Sequence, residues 1–288
     1  MKLLALLPLP LLRHLGDGLY FLAYYVARWR LPLARRNLAT AFPDRTPAER
    51  EAILKRSYRH LAHTVMEATW GFRADAAEFR RRVHFENPEP VEAYKAAGTS
   101  LVLMTAHVCN WEWLLCASGI HFDFPIDAIY RKIRLEGVDR YMRDARSRFG
   151  GNPIPIDSLL YEVMRRAGKP RAYAMVADQS PKKNMPKHWT TFFGKPTAFY
   201  LGAEKIARFL DAPVLYVEMK RGERPGYYAV RFHVLAEPPY EEDAGPLIAE
   251  AYARALERTI RARPDDWLWS ENKWRLSPPD AQPGESRG

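Results

Sequence analysis

Short apolar runs alternate with amphipathic stretches from Pro90 to residue 262. The apolar runs predict β-strands at Leu101–Thr105, Ile126–Tyr130, Tyr173–Ala177, Val214–Met219 and Tyr227–Val234. The amphipathic stretches between them predict helices over 111–119, 137–149, 157–168, 198–210 and 244–262. This alternation predicts an α/β fold with a mixed, mostly parallel sheet flanked by helices.

A long helix is predicted before this region, over residues 46–72. Thr46, Pro47 and Glu49 form a capping box with proline at the first helical position, and apolar residues follow at helical spacing. His60, His63 and Glu67 share one face of this helix. They could bind a metal, but a polar helix flank is the favoured interpretation.

The N-terminus carries two apolar runs, Leu3–Leu12 and Leu19–Ala27, interrupted by Arg13, His14 and Asp17. Each run is shorter than the roughly 20 residues that a spanning helix needs. Four arginines follow, at 28, 30, 35 and 36. We therefore predict that residues 1–36 form a helical membrane-anchor segment lying at an anionic membrane surface. A core helix with a basic end and a single tilted spanning helix remain alternatives.

The rest of the chain shows no internal linker. Residues 37–276 are predicted to form one α/β domain, and residues 277–288 a disordered tail. The chain has 44 lysines and arginines against 34 aspartates and glutamates, with most of the excess within residues 1–82. This basic surface suits an anionic membrane or an acidic partner; no nucleic-acid reader motif accompanies it. The two cysteines predict a reducing compartment.

Candidate chemistry centres on His107 and Glu112, in the segment HVCNWE after the first predicted strand. On one continuous helix, side chains five residues apart point about 140° away from each other. They can meet if His107 lies in the turn and Glu112 in the first turn of a helix capped by Asn110. A carboxylate bound to one imidazole nitrogen would leave the other free to take a proton from a substrate hydroxyl.

Other chemistries fit these residues less well. The sequence contains no Gly-x-Ser-x-Gly elbow, phosphate loop or dinucleotide glycine fingerprint. Cys109 could act as a nucleophile with His107 as its base. A zinc site built from His107, Cys109 and Glu112 would lack a fourth ligand. A structural histidine at a sheet edge is the remaining alternative.

The HVCNWE segment resembles the His-x4-Asp/Glu motif of the lysophospholipid acyltransferase superfamily. An ordered set of further segments resembles the late acyltransferases of lipid A biosynthesis, the lauroyl/myristoyl acyltransferase family. These segments are Arg35–Arg50, Tyr130–Pro155, VADQS, FFGKPTAF and Asp265–Arg275. The resemblance spans Arg35 to Pro278.

The resemblance implies a glycerol-3-phosphate acyltransferase-like fold and a catalytic dyad of His107 and Glu112. It further implies that Arg131 binds a phosphate or carboxylate and that Asp178 and Gln179 shape the pocket. We add Asn110, whose amide could stabilise the oxyanion, as a fourth substrate-binding residue. No metal and no cofactor are expected.

The implied reaction moves a fatty acyl chain from acyl carrier protein or acyl coenzyme A to a hydroxyl of a lipid A precursor or related glycolipid. The predicted location is the cytoplasmic face of a bacterial inner membrane. A lysophospholipid acceptor and a non-catalytic lipid-binding role remain alternatives. The chain departs from the family pattern at Glu271 and in the basic run Ser180–Trp189, and these departures leave the acceptor open.

Overall fold

The computed structural model describes residues 4–241 and 245–278. Its N-terminal part is helical, with a 3-10 turn at Leu4–Leu6, α1 at Leu9–Phe21, a π-helical turn at Leu22–Val26 and α2 at Leu31–Ala41. Helix α3, at Pro47–Gly71, carries the predicted capping box, which confirms the long helix. Helix α1 packs along α3, and its Leu12 side chain is fully buried.

The centre of the molecule is a seven-stranded sheet. Its strands are β1 Val83–Phe85, β2 Leu101–Thr105, β3 Ile126–Tyr130, β4 Gly151–Pro155, β5 Ala172–Val176, β8 Val214–Arg221 and β9 Tyr228–Ala236. They lie side by side in the order β1-β9-β8-β2-β5-β3-β4. All neighbouring pairs are parallel except β8 and β9, which form an antiparallel hairpin. The predicted mixed, mostly parallel sheet is confirmed.

The remaining helices flank this sheet. They are α4 Ala76–Arg82, α5 Glu89–Ala96, α6 Trp111–Phe122, α7 Glu136–Ser147, α8 Leu159–Arg165, α9 Gly202–Leu210 and α10 Gly245–Ala262. The central strand β2 presents Leu101 and Val102 with no exposed surface, as expected for a strand covered on both faces. Short 3-10 turns lie at Ile156–Ser158 and Pro264–Asp266.

One predicted helix, 198–210, is wrong in its first residues. The chain forms a separate two-stranded hairpin there, with β6 at Lys187–Phe192 and β7 at Lys195–Tyr200, and the helix begins only at Gly202. The hairpin turn places Phe193 and Gly194 at positive φ, and it packs Phe192 and Phe199 into the core. Strand β4 was also missed, because Gly151, Pro153 and Pro155 are unusual in strands.

Within the described residues, no helix combines the length and apolar character needed to cross a membrane. The predicted disordered tail lies mainly beyond residue 278, outside the described residues.

Candidate active site

The site is built on a sharp turn between β2 and α6, residues 106–110. Cys109 adopts the left-handed region with φ of 54°, which is unfavourable for a residue with a side chain. Two hydrogen bonds hold it there: its N–H donates to the Asp266 carbonyl at 3.1 Å, and its carbonyl accepts from Thr64 Oγ1 at 3.2 Å. A bridge between Val108 and Trp267 ties the turn to the C-terminal segment.

Asn110 begins helix α6 and confirms the predicted N-cap. Its Oδ1 accepts from the Trp113 N–H at 3.1 Å, and its Nδ2 donates to Glu67 Oε2 at 3.1 Å. The residue has no exposed surface. The Asn110 side chain therefore holds the start of the helix, and its predicted role as a substrate-binding residue stays a prediction.

His107 is paired with Asp178. Both follow strands that are parallel neighbours, and Thr105 and Val176, which lie opposite each other in the ladder, each precede one of them by two residues. His107 Nδ1 lies 2.7 Å from Asp178 Oδ1, and the His107 backbone N–H donates to Oδ2 at 3.1 Å. Trp267 Nε1 also donates to Oδ2, at 2.8 Å. Because Nδ1 is occupied, Nε2 is the imidazole nitrogen that remains for a substrate.

Burial and charge act in opposite directions on this pair. Burial disfavours the imidazolium, but the carboxylate charge and hydrogen bond of Asp178 outweigh it and raise the pKa of His107. Burial likewise disfavours the carboxylate, yet His107 and the Trp267 indole hold the pKa of Asp178 below its usual value. The imidazole is thus a stronger base than a free histidine.

The predicted hydrogen bond between Glu112 and His107 is replaced by another interaction. Glu112 forms a two-bond ion pair with Arg146, at 3.0 Å from Nε and 2.6 Å from Nη2. Arg146 lies in α7, so α6 and α7 are joined beside the site. A guanidinium fork matches both carboxylate oxygens, which explains why Glu112 turns towards Arg146. Glu112 acts on His107 only through its charge, the weakest of the influences that raise the pKa of the imidazole.

Two different cavities meet at His107 and Trp111. One is polar, has a volume of about 490 Å³, and is lined by side chains from the N-terminal helices, the β8–β9 hairpin and the C-terminal segment. The other is apolar, has a volume of about 300 Å³, and lies between α6 and strands β2, β3 and β5. Ala128 and Ala174, which are opposite each other in the sheet, leave room for it.

Arg131 and Gln179 also line the apolar cavity. Both also line a second apolar cavity of about 360 Å³ beneath α8 and α9, so the two apolar cavities adjoin at these residues. Arg131 Nη2 donates to the Tyr200 hydroxyl at 3.3 Å. Arg131 and Gln179 therefore line the same apolar cavity as His107, and the binding roles that the resemblance implies for them stay predictions.

The alternative chemistries find little support in the geometry. Cys109 is buried, and burial raises the pKa of its thiol to about 12, so the nucleophilic thiolate is disfavoured. In the part of the chain described here, His60, Asp265 and Asp266 form the one cluster close enough to share a metal ion. Arg221 already contacts Asp266 and supplies the compensating charge. His63 instead bonds Asp17, at 2.8 Å.

Neither Trp267 nor Arg146 was predicted individually as a site residue. Both lie inside segments that resemble the acyltransferase family, but only the fold brings them to His107 and Glu112. The motifs therefore contained both residues, but the sequence did not indicate which side chains they contact.

Fold and site together define a class: an α/β protein in which a histidine, oriented by a buried carboxylate, lies between a polar and an apolar cavity. Sequence comparison makes the class specific. The family model of bacterial lipid A biosynthesis acyltransferases matches residues 1–276. The chain belongs to this family and is an acyltransferase, which confirms the resemblance inferred from the motifs.

Characterised relatives agree over nearly the whole chain. A lipid A biosynthesis acyltransferase of Haemophilus influenzae is 24% identical over 277 residues, covering 93% of this chain and 82% of the relative. The lipid A biosynthesis lauroyltransferase of Escherichia coli is 21% identical, covering 94% and 88%. The palmitoleoyltransferase of the same organism is 22% identical, covering 94% and 87%.

Proposed function

We propose that the protein transfers a fatty acyl chain from a carrier thioester to a hydroxyl of a lipid A precursor. The observation that carries this proposal is the position of His107, which lines both the polar and the apolar cavity. A direct transfer needs an acyl chain and a polar acceptor to meet at one base. The names of the relatives support lipid A as the acceptor.

In the proposed reaction, Nε2 of His107 takes the proton of the acceptor hydroxyl. The hydroxyl oxygen attacks the thioester carbonyl carbon, the carbon–sulfur bond breaks, and the thiolate leaves with the proton from the imidazolium. Asp178 fixes the Nδ1–H tautomer and stabilises the charged ring, the role that the sequence had assigned to Glu112. The N–H groups of Trp111 and Glu112, in the first turn of α6, are proposed as donors to the developing oxyanion, because both residues line the apolar cavity together with His107.

The acyl chain is proposed to occupy the apolar cavity between α6 and the sheet. Arg131 then lies beside its outer part, where its guanidinium can bind the phosphate of a phosphopantetheine thioester. Acyl carrier protein and acyl coenzyme A share this group, so both remain candidate donors. Gln179, which lines the same cavity, is proposed to contact the same arm.

We propose that residues 1–36 rest on the membrane and that residues 37–276 form the catalytic domain. Five large apolar side chains near the end of α1 are between 45% and 61% exposed: Phe21, Leu22, Tyr25, Val26 and Trp29. Arg28 and Arg30 lie among them. Exposed aromatic and aliphatic residues beside arginines suit an anionic lipid surface. The free thiols of Cys109 and Cys116 support the cytoplasmic face.

The test of the reaction is acyl transfer by the purified protein in detergent, from carrier thioester or acyl coenzyme A to lipid A precursor or lysophospholipid. We expect transfer to the lipid A precursor. His107→Ala should lower turnover by about 10²–10⁴, the usual contribution of a general base. His84→Ala, at an exposed histidine on β1, is the matched control. Full activity of His107→Ala would refute the mechanism.

Membrane contact is tested separately by sedimentation with lipid vesicles. Phe21→Ser combined with Val26→Ser should weaken binding to vesicles containing phosphatidylglycerol. Leu247→Ser, at a similarly exposed leucine on α10, should leave it unchanged. Equal binding by all variants would contradict the proposed surface.

A further inference from the structure

We infer that the polar cavity contains a phosphate subsite, and that Arg224 and Arg263 determine the preference for a phosphorylated acceptor. This inference rests on the proposed function, because it names the group of the acceptor that the cavity binds. It assigns two residues that neither the sequence motifs nor the catalytic geometry had singled out.

The cavity gathers arginines from five separate parts of the chain. They come from α1, α3, the end of β8, the β8–β9 turn and the segment after α10: Arg13, Arg59, Arg221, Arg224 and Arg263. No lysine lines the same space among the described residues. The planar guanidinium group binds phosphate oxygens in a forked geometry that the ammonium group of lysine cannot reproduce.

Three of these arginines are engaged by carboxylates. Arg13 contacts the buried Glu67, and Arg221 contacts the buried Asp266. Arg59 pairs with Asp17 at 2.7 Å. These ion pairs shape the cavity wall, and their charges are already compensated.

Arg224 and Arg263 have no carboxylate within 4.0 Å in the described parts of the chain. Arg263 Nη1 donates to the Arg221 carbonyl at 2.8 Å, which orients its guanidinium while leaving the other nitrogens available. Arg224 lies exposed in the β8–β9 turn, at the rim of the cavity. The acidic residue Asp265, which also lines the space, accepts a hydrogen bond from Arg56 at 3.3 Å. Glu223 is then the lining carboxylate that can balance part of the charge of Arg224 and Arg263.

The arrangement therefore offers two guanidinium groups against the single carboxylate of Glu223, around a space that also reaches His107. A dianionic phosphate ester is the ligand that this charge and geometry fit best. When the phosphate is bound at the rim, the sugar hydroxyls of the same acceptor lie further inside, towards the imidazole. The subsite would thus select the acceptor by its phosphate and orient its hydroxyl.

The experiment compares lipid A precursor with the same lipid dephosphorylated by aqueous hydrogen fluoride. Arg224→Gln combined with Arg263→Gln should raise KM for the phosphorylated acceptor at least tenfold, with kcat within twofold of the wild type. KM for the dephosphorylated acceptor should not change. Arg258→Gln, an exposed arginine of α10 outside the cavity, is the control.

Direct binding of both lipids to His107→Ala protein separates this inference from the reaction itself. If wild-type protein transfers no acyl chain, but phosphate-dependent binding disappears in the double variant, the proposed function fails and the subsite stands. If transfer proceeds and the double variant treats both lipids as the wild type does, the subsite is refuted. An equal loss for both lipids also refutes it, because the phosphate would then be irrelevant.

Discussion

Replacing Asp178 with asparagine should inactivate the enzyme by reversing the protonation of the His107 ring. In the native site, Asp178 Oδ2 accepts two N–H donors, from the His107 backbone and the Trp267 indole. An asparagine must place its amide oxygen at this position, because an NH₂ group there would face two donors. The NH₂ group then points at Nδ1, which is forced to accept, so the proton moves to Nε2. A ring protonated at Nε2 cannot take a proton from the acceptor hydroxyl.

The substitution also removes a charge. Two unit charges about 4 Å apart interact by about 4 kcal/mol at an effective dielectric constant near 20. Without this support, burial outweighs the remaining charges of Glu271 and Glu112, so we expect the pKa of His107 to fall. Together with the wrong tautomer, we expect kcat to fall by about 10²–10⁴, as for other oriented histidine bases.

The assay combines the pH dependence of kcat/KM with nitrogen NMR of the histidine ring. Wild-type activity should rise with pH through a pKa above 6.5, because the neutral imidazole is the active form and Asp178 raises its pKa. Asp178→Asn should show Nε2–H in place of Nδ1–H. Glu112→Gln should keep the Nδ1–H tautomer, since Glu112 is held by Arg146. An asparagine variant with nearly wild-type turnover would refute this reasoning, as would the Nδ1–H tautomer in an inactive one.

Three further predictions concern stability and specificity. Burial lowers the pKa of the fully enclosed Lys273 to about 7. Because the unfolded chain binds the lysine proton up to about pH 10, wild-type stability should rise relative to Lys273→Met by about 2 kcal/mol between pH 7 and 9, measured by urea unfolding. Constant differences across that range would contradict the prediction. Arg13→Met leaves the buried Glu67 without its cation and should cost about 3–5 kcal/mol in the same measurement, whereas a cost near zero would show that the pair is not formed. Ala174→Leu narrows the apolar cavity and should shift the preferred acyl chain to a shorter length, read by competition between thioesters; an unchanged preference would place the chain elsewhere.

The sequence was a good guide where one signal dominated. Strands β2 and β3 match their predicted bounds, because compact apolar runs are bounded there by clear breaks. The capping box placed α3 at its true first turn. The β6–β7 hairpin was missed because its turn requires positive φ at Phe193, a conformation that a residue with a large side chain does not signal in the sequence.

In the site, too, features set by neighbouring residues could be predicted, and contacts between distant parts of the chain could not. The position of His107 at a strand end and the cap at Asn110 followed from neighbouring residues. The partner of His107 did not, because the choice between Glu112 and Asp178 depends on two facts absent from local spacing. Strands β2 and β5 are adjacent and in register, and Arg146 competes for Glu112. The sequence pointed to both carboxylates, but it is Asp178 that bonds His107, while Glu112 lines the apolar cavity.

The N-terminal segment is connected to the candidate active site through a chain of side-chain contacts. Arg13 of α1 contacts Glu67, and the other oxygen of Glu67 accepts from Asn110, the residue that caps α6. Tyr228 donates to the same buried carboxylate. A buried carboxylate with these partners is stable only while its cation remains, so the position of α1 and the geometry of the turn that carries His107 depend on each other. If α1 rests on a membrane surface, as proposed, its orientation would also fix the position of Arg13, which lies in α1 and lines the polar cavity.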